Sequence, residues 1–368
     1  MKICFITDPL VTTVGAVRPA LLLAREFCKR GHDVALITPR FNGKTEKELR
    51  AENLPLKAVG PRFSIITSFP TLDAWARCLL RNKVVSEICD SDVIINTSSC
   101  ILAQAHVYYA QGLMTRTLDE IASEMPLYFK YVYHPLSPLL RTLERRFIGQ
   151  IRNVSTVFIA NSMFCASMYR RWNIKVDEII NPPLDCSFFK PTTKSTEDYV
   201  LTHFGTYGKE GKFPIIKAIA DAKVIIKAFG QVSSVPKYLT KHPNINFVGT
   251  VTEKELVNLY SNAIYTLFAF RHEPFGYVPI ESMACATPVL TYNMEGPFET
   301  VVNGKTGWLM NSDQDLFTLA VKLWKKGYDT GIRNSCRKRA LEFDVKKISL
   351  KWEKILKNEC FLTHKSIF

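Results

Sequence analysis

Two apolar runs, Lys2 to Thr7 and Val34 to Thr38, flank a helical segment in the first 38 residues, and this constrains the fold more than any other stretch. Asp8 to Gly15 reads as a loop. Val17, Ala20, Leu21, Ala24, Phe27 and Cys28 then recur at the spacing of one helix face, and Gly31 closes the helix. Strand, helix and strand in so short a span predict a βαβ unit and a parallel sheet. Its loop Thr12-Thr13-Val14-Gly15-Ala16 falls at the carboxyl edge of that sheet, where α/β proteins take their ligands. Gly15 either lets backbone approach a substrate there or relieves a tight turn.

The alternation continues with an amphipathic helix over 73–89 and strands at Asp92 to Asn96, Ala105 to Ala110 and Ser155 to Ala160. Asn161-Ser162 suits a helix N-cap. Asn181-Pro182-Pro183-Leu184-Asp185 breaks the chain, and the polar stretch Lys190 to Asp198 reads as a linker. From Tyr199 the pattern restarts, with strands near 199–204, 223–229, 245–248, 263–268 and 288–291. The expected class is α/β with two sheet domains, residues 1–185 and 186–344. A terminal helix and tail follow at 345–368, with Val345, Ile348, Trp352, Ile355 and Leu356 on one face to pack back on the N-terminal domain or on the other.

At 368 residues and 47% hydrophobic content the chain can bury two cores. No apolar run approaches the roughly 18 residues of a spanning helix, and the N-terminus enters a strand directly, so neither an anchor nor a signal peptide is expected. Ten scattered cysteines with no C-x-x-C pair suit reduced thiols in a cytoplasmic protein. The net charge of +14 calls for a polyanionic partner: nucleic acid, an anionic membrane or a phosphorylated small molecule. Asp90-Ser91-Asp92 has the form of a metal-holding Asp-x-Asp pair, but it precedes its strand, at the edge away from the ligand side. It reads as a helix end and strand-entry loop. Residues 125–148 mix aromatic, leucine and basic side chains; they suit a peripheral site on an anionic membrane surface, or a helical hairpin packed on the domain.

Chemistry concentrates in the second domain. Glu273 and Glu281 stand on either side of a Pro274-Phe275-Gly276 turn with seven residues between them, and the turn opens a helix whose first N–H groups lack intrahelical acceptors. A carboxylate can accept from two hydroxyls at once, which suits a ribose diol or a hexose. The strand at 199–204 leads into Gly205-Thr206-Tyr207-Gly208-Lys209-Glu210-Gly211-Lys212, a glycine-rich loop able to cradle a diphosphate with amides and ammonium charge. A turn with solvated lysines, a surface Glu281 and a capping Glu273 would leave the same pattern.

With these motifs the chain resembles the retaining glycosyltransferases of family 4, whose GT-B fold sets two Rossmann-like domains face to face across a cleft. The resemblance rests on Glu273 to Glu281 and extends to the Gly15 loop, Arg25 to Val34, Ala160 to Phe164, Asn181 to Asp185, Gly296-Pro297-Phe298-Glu299 and Asn303 to Gly307. Gly296-Pro297 and Tyr108-Tyr109-Ala110-Gln111-Gly112 are similar to archaeal and eukaryotic mannosyltransferases that extend lipid-linked oligosaccharides. It implies that Glu281 binds the nucleotide ribose, that Glu273 with the amides near Phe275 and Gly276 holds the donor hexose, and that Glu299 lies on the nucleotide side. The family neutralises the leaving diphosphate with an Arg and a Lys after the first strand of this domain. Here Thr206 stands in the Arg position, and Lys209 and Lys212 compete for the Lys role. A first-domain His near the reacting carbon would be His106, or else His134. The resemblance implies a sugar nucleotide as co-substrate, a glycan or lipid-linked acceptor, no further cofactor and no metal. An epimerase or phosphorylase on the same fold and a silent nucleotide-sugar-binding subunit are the alternatives; nucleic acid rests on net charge alone.

Overall fold

The computed structural model describes residues 1–59, 70–81, 89–122, 127–192, 198–204, 213–232, 235–270 and 273–357. The Gly205 to Lys212 loop, with Gly205, Thr206, Lys209 and Lys212, lies outside them. Contacts divide the chain into two units. One holds residues up to Thr115, Leu136–Pro183 and the helix beginning at Val345; the other holds Arg116–Pro135 and Leu184–Asp344.

The first unit begins with β1 (Lys2–Ile6), α1 (Arg18–Lys29), β2 (Asp33–Thr38), α2 (Gly43–Ala51), β3 (Leu56–Ala58) and α3 (Pro70–Arg81). It continues through β4 (Val93–Asn96), β5 (Ala105–Ala110), α4 (Met114–Ala122), α5 (Leu127–Asn153), β6 (Ser155–Ala160), α6 (Met163–Arg170) and β7 (Glu178–Ile179). All the strands pair in parallel, in the order β3-β2-β1-β4-β5-β6-β7. The order reverses between β1 and β4, and such a reversal opens a crevice beyond the strands' carboxyl ends. Ile3 and Phe5 of β1 face one core with Phe27 of α1, while Cys4 and Ile6 face a second core with Ile37 and Ile101. Burial on both faces is what a parallel sheet covered by crossover helices requires. Ser162 accepts from the Cys165 amide at 2.9 Å and caps α6 as its sequence position predicts.

The second unit follows as β8 (Val200–Phe204), α7 (Phe213–Asp221), β9 (Ile226–Gly230), α8 (Lys237–Thr240), β10 (Ile245–Gly249), α9 (Glu253–Asn262) and β11 (Thr266–Phe268). Then come α10 (Tyr277–Ala284), β12 (Val289–Tyr292), α11 (Glu295–Thr300), β13 (Gly307–Met310), α12 (Asp313–Lys326) and α13 (Gly331–Ala340). Its parallel sheet runs β10-β9-β8-β11-β12-β13, so its reversal falls between β8 and β11. Val200 and Leu267 point to one core, Leu201 and Phe268 to the other.

The last helix, α14 (Val345–Leu356), belongs to the first unit. Ile348, Trp352 and Leu356 are fully buried in the same core as Phe5 and Phe27, and the Trp352 ring meets Tyr109 edge-on at 5.2 Å. Arg30, at the end of α1, reaches Glu353 at 3.3 Å. Nine cysteines fall among the described residues, all as free thiols. Among those residues no helix is long and apolar enough to cross a membrane.

Candidate functional site

In the second unit the carboxyl end of β11 runs directly into the Glu273 turn, beside the sheet's point of reversal. Gly276 sits at φ +85° as the N-cap of α10, a conformation that L side chains avoid. It bends the backbone so that α10 starts at Tyr277, and Pro279 occupies the first turn, where a missing N–H costs no helical bond. Phe275 is buried and packs edge-on against Tyr277 and Phe343, so its side chain serves the core and only its backbone faces the turn.

A second element clamps this turn. The Glu273 amide donates to the Glu295 carboxylate at 2.9 Å, and the Glu273 carbonyl accepts from the Gly296 amide at 3.0 Å. Gly296 lies so close to Phe275 that a Cβ there would stand 2.4 Å from the Phe275 carbonyl oxygen. Glu299 lies at the far end of the same short helix, half-buried, with its carbonyl accepting from Arg339 at 2.7 Å. Glu273, Phe275, Gly276 and Glu281 thus lie on one turn and the helix that it opens, and the start of the helix that carries Glu299 is clamped to that turn.

Glu281 is 4% exposed, which rules out a surface helix carboxylate. The Tyr260 hydroxyl on α9 donates to its Oε2 at 2.9 Å. Next to it, at the end of β8, the His203 ring lies between Phe229 and Phe270 at 4.8 and 5.6 Å. Burial pushes the His203 imidazole down to about 4, with the Glu281 charge opposing, so the ring is neutral at physiological pH. Below Glu281, the Ser282 hydroxyl bonds Thr266 of β11 at 2.7 Å and the Thr287 carbonyl at 2.9 Å, which fixes α10 to the sheet. Arg337 of α13 donates to the carbonyls of Ala284 and Cys186, both at 2.8 Å. The carboxylate pair therefore stands on a rigid support. Its half-buried Glu273 and the first-turn amides of α10 form one polar rim; Glu281 forms a deeper, prepaid acceptor.

The first unit has its own polar crevice, at the reversal between β1 and β4. Asp8, 7% exposed, follows β1; its carboxylate accepts from the Ser98 hydroxyl at 2.9 Å and the Ser99 amide at 2.8 Å, just beyond β4. Burial raises the Asp8 carboxyl while those hydrogen bonds oppose the rise. Asp8 thus ties the two strands whose separation opens the crevice. Gly15 lies on the same edge at φ +76°, with open space where a Cβ would project.

His106 is a correction. It is the second residue of β5, at the amino edge of the sheet, and its Nδ1 accepts from the Ile94 amide near the start of β4 at 3.1 Å. That edge is opposite the one that carries Asp8 and Gly15, so His106 is a strand residue and not a site residue. His134 is exposed on α5. Asp92 accepts from the Lys2 amide at 2.9 Å and Asp90 from the Lys2 ammonium at 3.4 Å, also at the amino edge. Asp8, His203 and Tyr260 were not singled out from the sequence. For Asp8 a signal existed, since an acid right after the first strand must reach the carboxyl edge.

These two parallel sheets, each reversed at its first and fourth strands and flanked by helices, form an α/β fold that resembles the GT-B structures of glycosyltransferases. The full fold matches that of solved glycosyltransferases. HepE of Anabaena, solved with UDP and also with UDP-glucose, shares 16% identity over 97% of this chain and 99% of its own, with TM-scores of 0.70 and 0.69. WaaG, a glycosyltransferase involved in lipopolysaccharide biosynthesis, shares 15% over 97% of this chain and all of its own, with a TM-score of 0.66. Residues 14–188 match Glycosyltransferase Family 4, and residues 221–343 match Glycosyl transferases group 1. The chain belongs to the family 4 glycosyltransferases. The capsular polysaccharide biosynthesis glycosyltransferase CapM of Staphylococcus aureus is 34% identical over 98 residues, 27% of this chain and 25% of CapM. An alpha-1,3/1,6-mannosyltransferase of Schizosaccharomyces pombe is 38% identical over 74 residues, 20% of this chain and 15% of the yeast protein. The matched stretches thus span a quarter or less of the length of these two relatives.

Proposed function

We propose that the protein moves a hexose from a sugar nucleotide, GDP-mannose or a UDP-hexose, to a hydroxyl of a sugar or lipid-linked acceptor, with retention at the anomeric carbon. The observation that carries this reading is the pair of unequal carboxylates: Glu281 buried and held by Tyr260, Glu273 half-buried on a clamped turn at the helix N-terminus. Glu281 accepts from the ribose hydroxyls. Glu273 and the amides at Gly276 and Tyr277 orient the hexose, and Glu299 lies toward the nucleotide. Lys209 or Lys212 and the helix-end dipole offset the charge of the departing diphosphate. As the glycosidic bond to the diphosphate breaks, the acceptor oxygen bonds the anomeric carbon from the same face. Its proton passes to a diphosphate oxygen. No metal and no further cofactor enters this scheme; the sugar nucleotide is the co-substrate, used on the cytoplasmic side.

A thermal-shift screen with GDP-mannose, UDP-glucose and UDP-N-acetylglucosamine tests the donor site, because a ligand bound only by the folded state raises apparent stability. One of them is expected to raise the melting temperature, and Glu281→Ala to abolish the rise. No shift with any of the three overturns the reading. Release of nucleoside diphosphate that depends on an added glycan or lipid-linked acceptor supports transfer; binding without release supports the silent subunit.

A further inference from the structure

We infer that Glu295 is a positioning residue for the sugar half of the donor: its carboxylate fixes the Glu273 turn, so hexose recognition depends on it and nucleotide recognition does not. This rests on the reading of Glu273 as the residue that orients the hexose and of Glu281 as the partner of the ribose.

Glu295 opens α11 with its backbone at φ +57°. That left-handed region suits glycine, and among side chains it suits the short polar Asn, as at Asn53 and Asn173. A glutamate there holds its backbone against its own preference, and such strain persists only where the surroundings enforce it. Glycine would take the same turn without strain but would bring no carboxylate. The carboxylate is what the position gains. The side chain is 11% exposed, and its Oε2 accepts from the Glu273 amide at 2.9 Å, a charge-assisted bond largely shielded from water. The next residue, Gly296, donates its amide to the Glu273 carbonyl at 3.0 Å. Two consecutive residues therefore hold Glu273 at both its N–H and its C=O.

From that fixed backbone the Glu273 side chain folds over the N-cap of α10, where its Cγ would stand 3.1 Å from a Cβ on Gly276. The carboxylate is one bond further, so its place beside the N-cap follows from the backbone that Glu295 holds. Glu281 is anchored independently. Tyr260 of α9 donates to it, and Ser282 ties its helix to Thr266 of β11 and to the Thr287 carbonyl. None of these bonds passes through α11. Loss of the Glu295 carboxylate therefore loosens one acid of the motif and leaves the other in place.

The test compares a sugar nucleotide with its own nucleoside diphosphate, UDP-glucose with UDP and GDP-mannose with GDP. Each is titrated calorimetrically into the full chain and into Glu295→Ala, Glu295→Gly, Glu295→Gln and Glu273→Ala. Alanine and glycine forfeit the same side-chain contacts, but glycine relieves the strained φ, so Glu295→Gly is expected to melt above Glu295→Ala. Both are nevertheless expected to bind the sugar nucleotide roughly tenfold more weakly than the parent, through loss of one charge-assisted hydrogen bond, and the nucleoside diphosphate within about twofold of it. Glu295→Gln keeps an oxygen that accepts from the Glu273 amide and is expected to stay within about threefold of the parent for both ligands. Three outcomes overturn the inference: sugar-nucleotide affinity unchanged in Glu295→Ala, affinity that follows melting temperature so that Glu295→Gly returns toward the parent, or equal losses for the sugar nucleotide and the nucleoside diphosphate. The underlying reading fails separately. If Glu273→Ala leaves sugar-nucleotide affinity unchanged, the hexose role of Glu273 is lost; if the parent binds none of the four ligands, the donor site is lost, and in either case the inference falls with it.

Discussion

The Tyr260 hydroxyl donates to the Glu281 carboxylate at 2.9 Å, with both groups buried, so the deeper of the two motif acids is held by a residue from a different helix 21 positions earlier. A buried charge keeps its place only when its acceptor sites are met. Tyr260→Phe removes one donor and leaves the ring's packing against Phe229 intact. The expected cost is about 1–3 kcal/mol of stability, from the desolvated acceptor left behind. A rise of about tenfold or more in the donor dissociation constant is expected as Glu281 loses its orientation. Urea unfolding and calorimetric titration with the donor measure both; no change in either would detach Tyr260 from the site.

His203 makes stability depend on pH. Its folded value of about 4 lies below its ordinary 6.5. Between those values the unfolded chain takes up a proton that the folded chain does not, so stability is complete above about pH 6.5 and falls as pH drops toward 4. The displacement is worth roughly 3 kcal/mol. Denaturant unfolding at pH 7.5 and pH 4.5 is expected to show a smaller loss in His203→Gln than in the parent protein, by that order. Equal losses would mean that the ring is solvated in the folded state.

The sequence pattern located the interior strands closely. β5 and β6 carry five apolar or β-branched positions each, and their predicted ends coincide with the observed ones. β3, β7 and β13 went unread because two to four residues at or near a sheet edge show no periodicity. α5 was not legible as one helix, since Pro135 and Pro138 each remove an interior N–H and argue for a break. In the site, Glu273, Gly276 and Glu281 were legible because one local segment supplies strand exit, turn and helix. Tyr260 and His203 reach Glu281 only through sheet topology, which no local pattern encodes. His106 was misplaced because its residue type drew attention while its position at the start of a strand, the wrong end, was overlooked.

Gly296 offers a test of the clamp. Any side chain there must displace the Phe275 backbone, since the added carbon would stand 2.4 Å from its Cα as well as from its carbonyl oxygen. Gly296→Ala is expected to cost about 1–3 kcal/mol as an overpacked contact with backbone, which cannot swing aside as a side chain can. Because the Gly296 amide also bonds the Glu273 carbonyl, donor affinity is expected to fall with stability. Gly304→Ala, on the same unit but with no atom within 4 Å of the added carbon, is strained only by its φ of +73° and is expected to leave donor affinity unchanged. Melting temperature and donor titration on the two variants separate clamp from strain.

Trp352 shows how the first unit depends on the chain's last described helix. Its indole is fully buried among core side chains and its Nε1 has no hydrogen-bond partner among the described residues. Trp352→Ala leaves a cavity against Tyr109 and the β-sheet core, and is expected to cost about 3–5 kcal/mol. Trp352→Phe removes fewer atoms and breaks no hydrogen bond, so it is expected to cost clearly less, with the ring still facing Tyr109. Thermal and urea unfolding of the two variants check the order. If Phe were as costly as Ala, the indole N–H would have to be making a bond, and the helix would be held by a polar contact and not by packing.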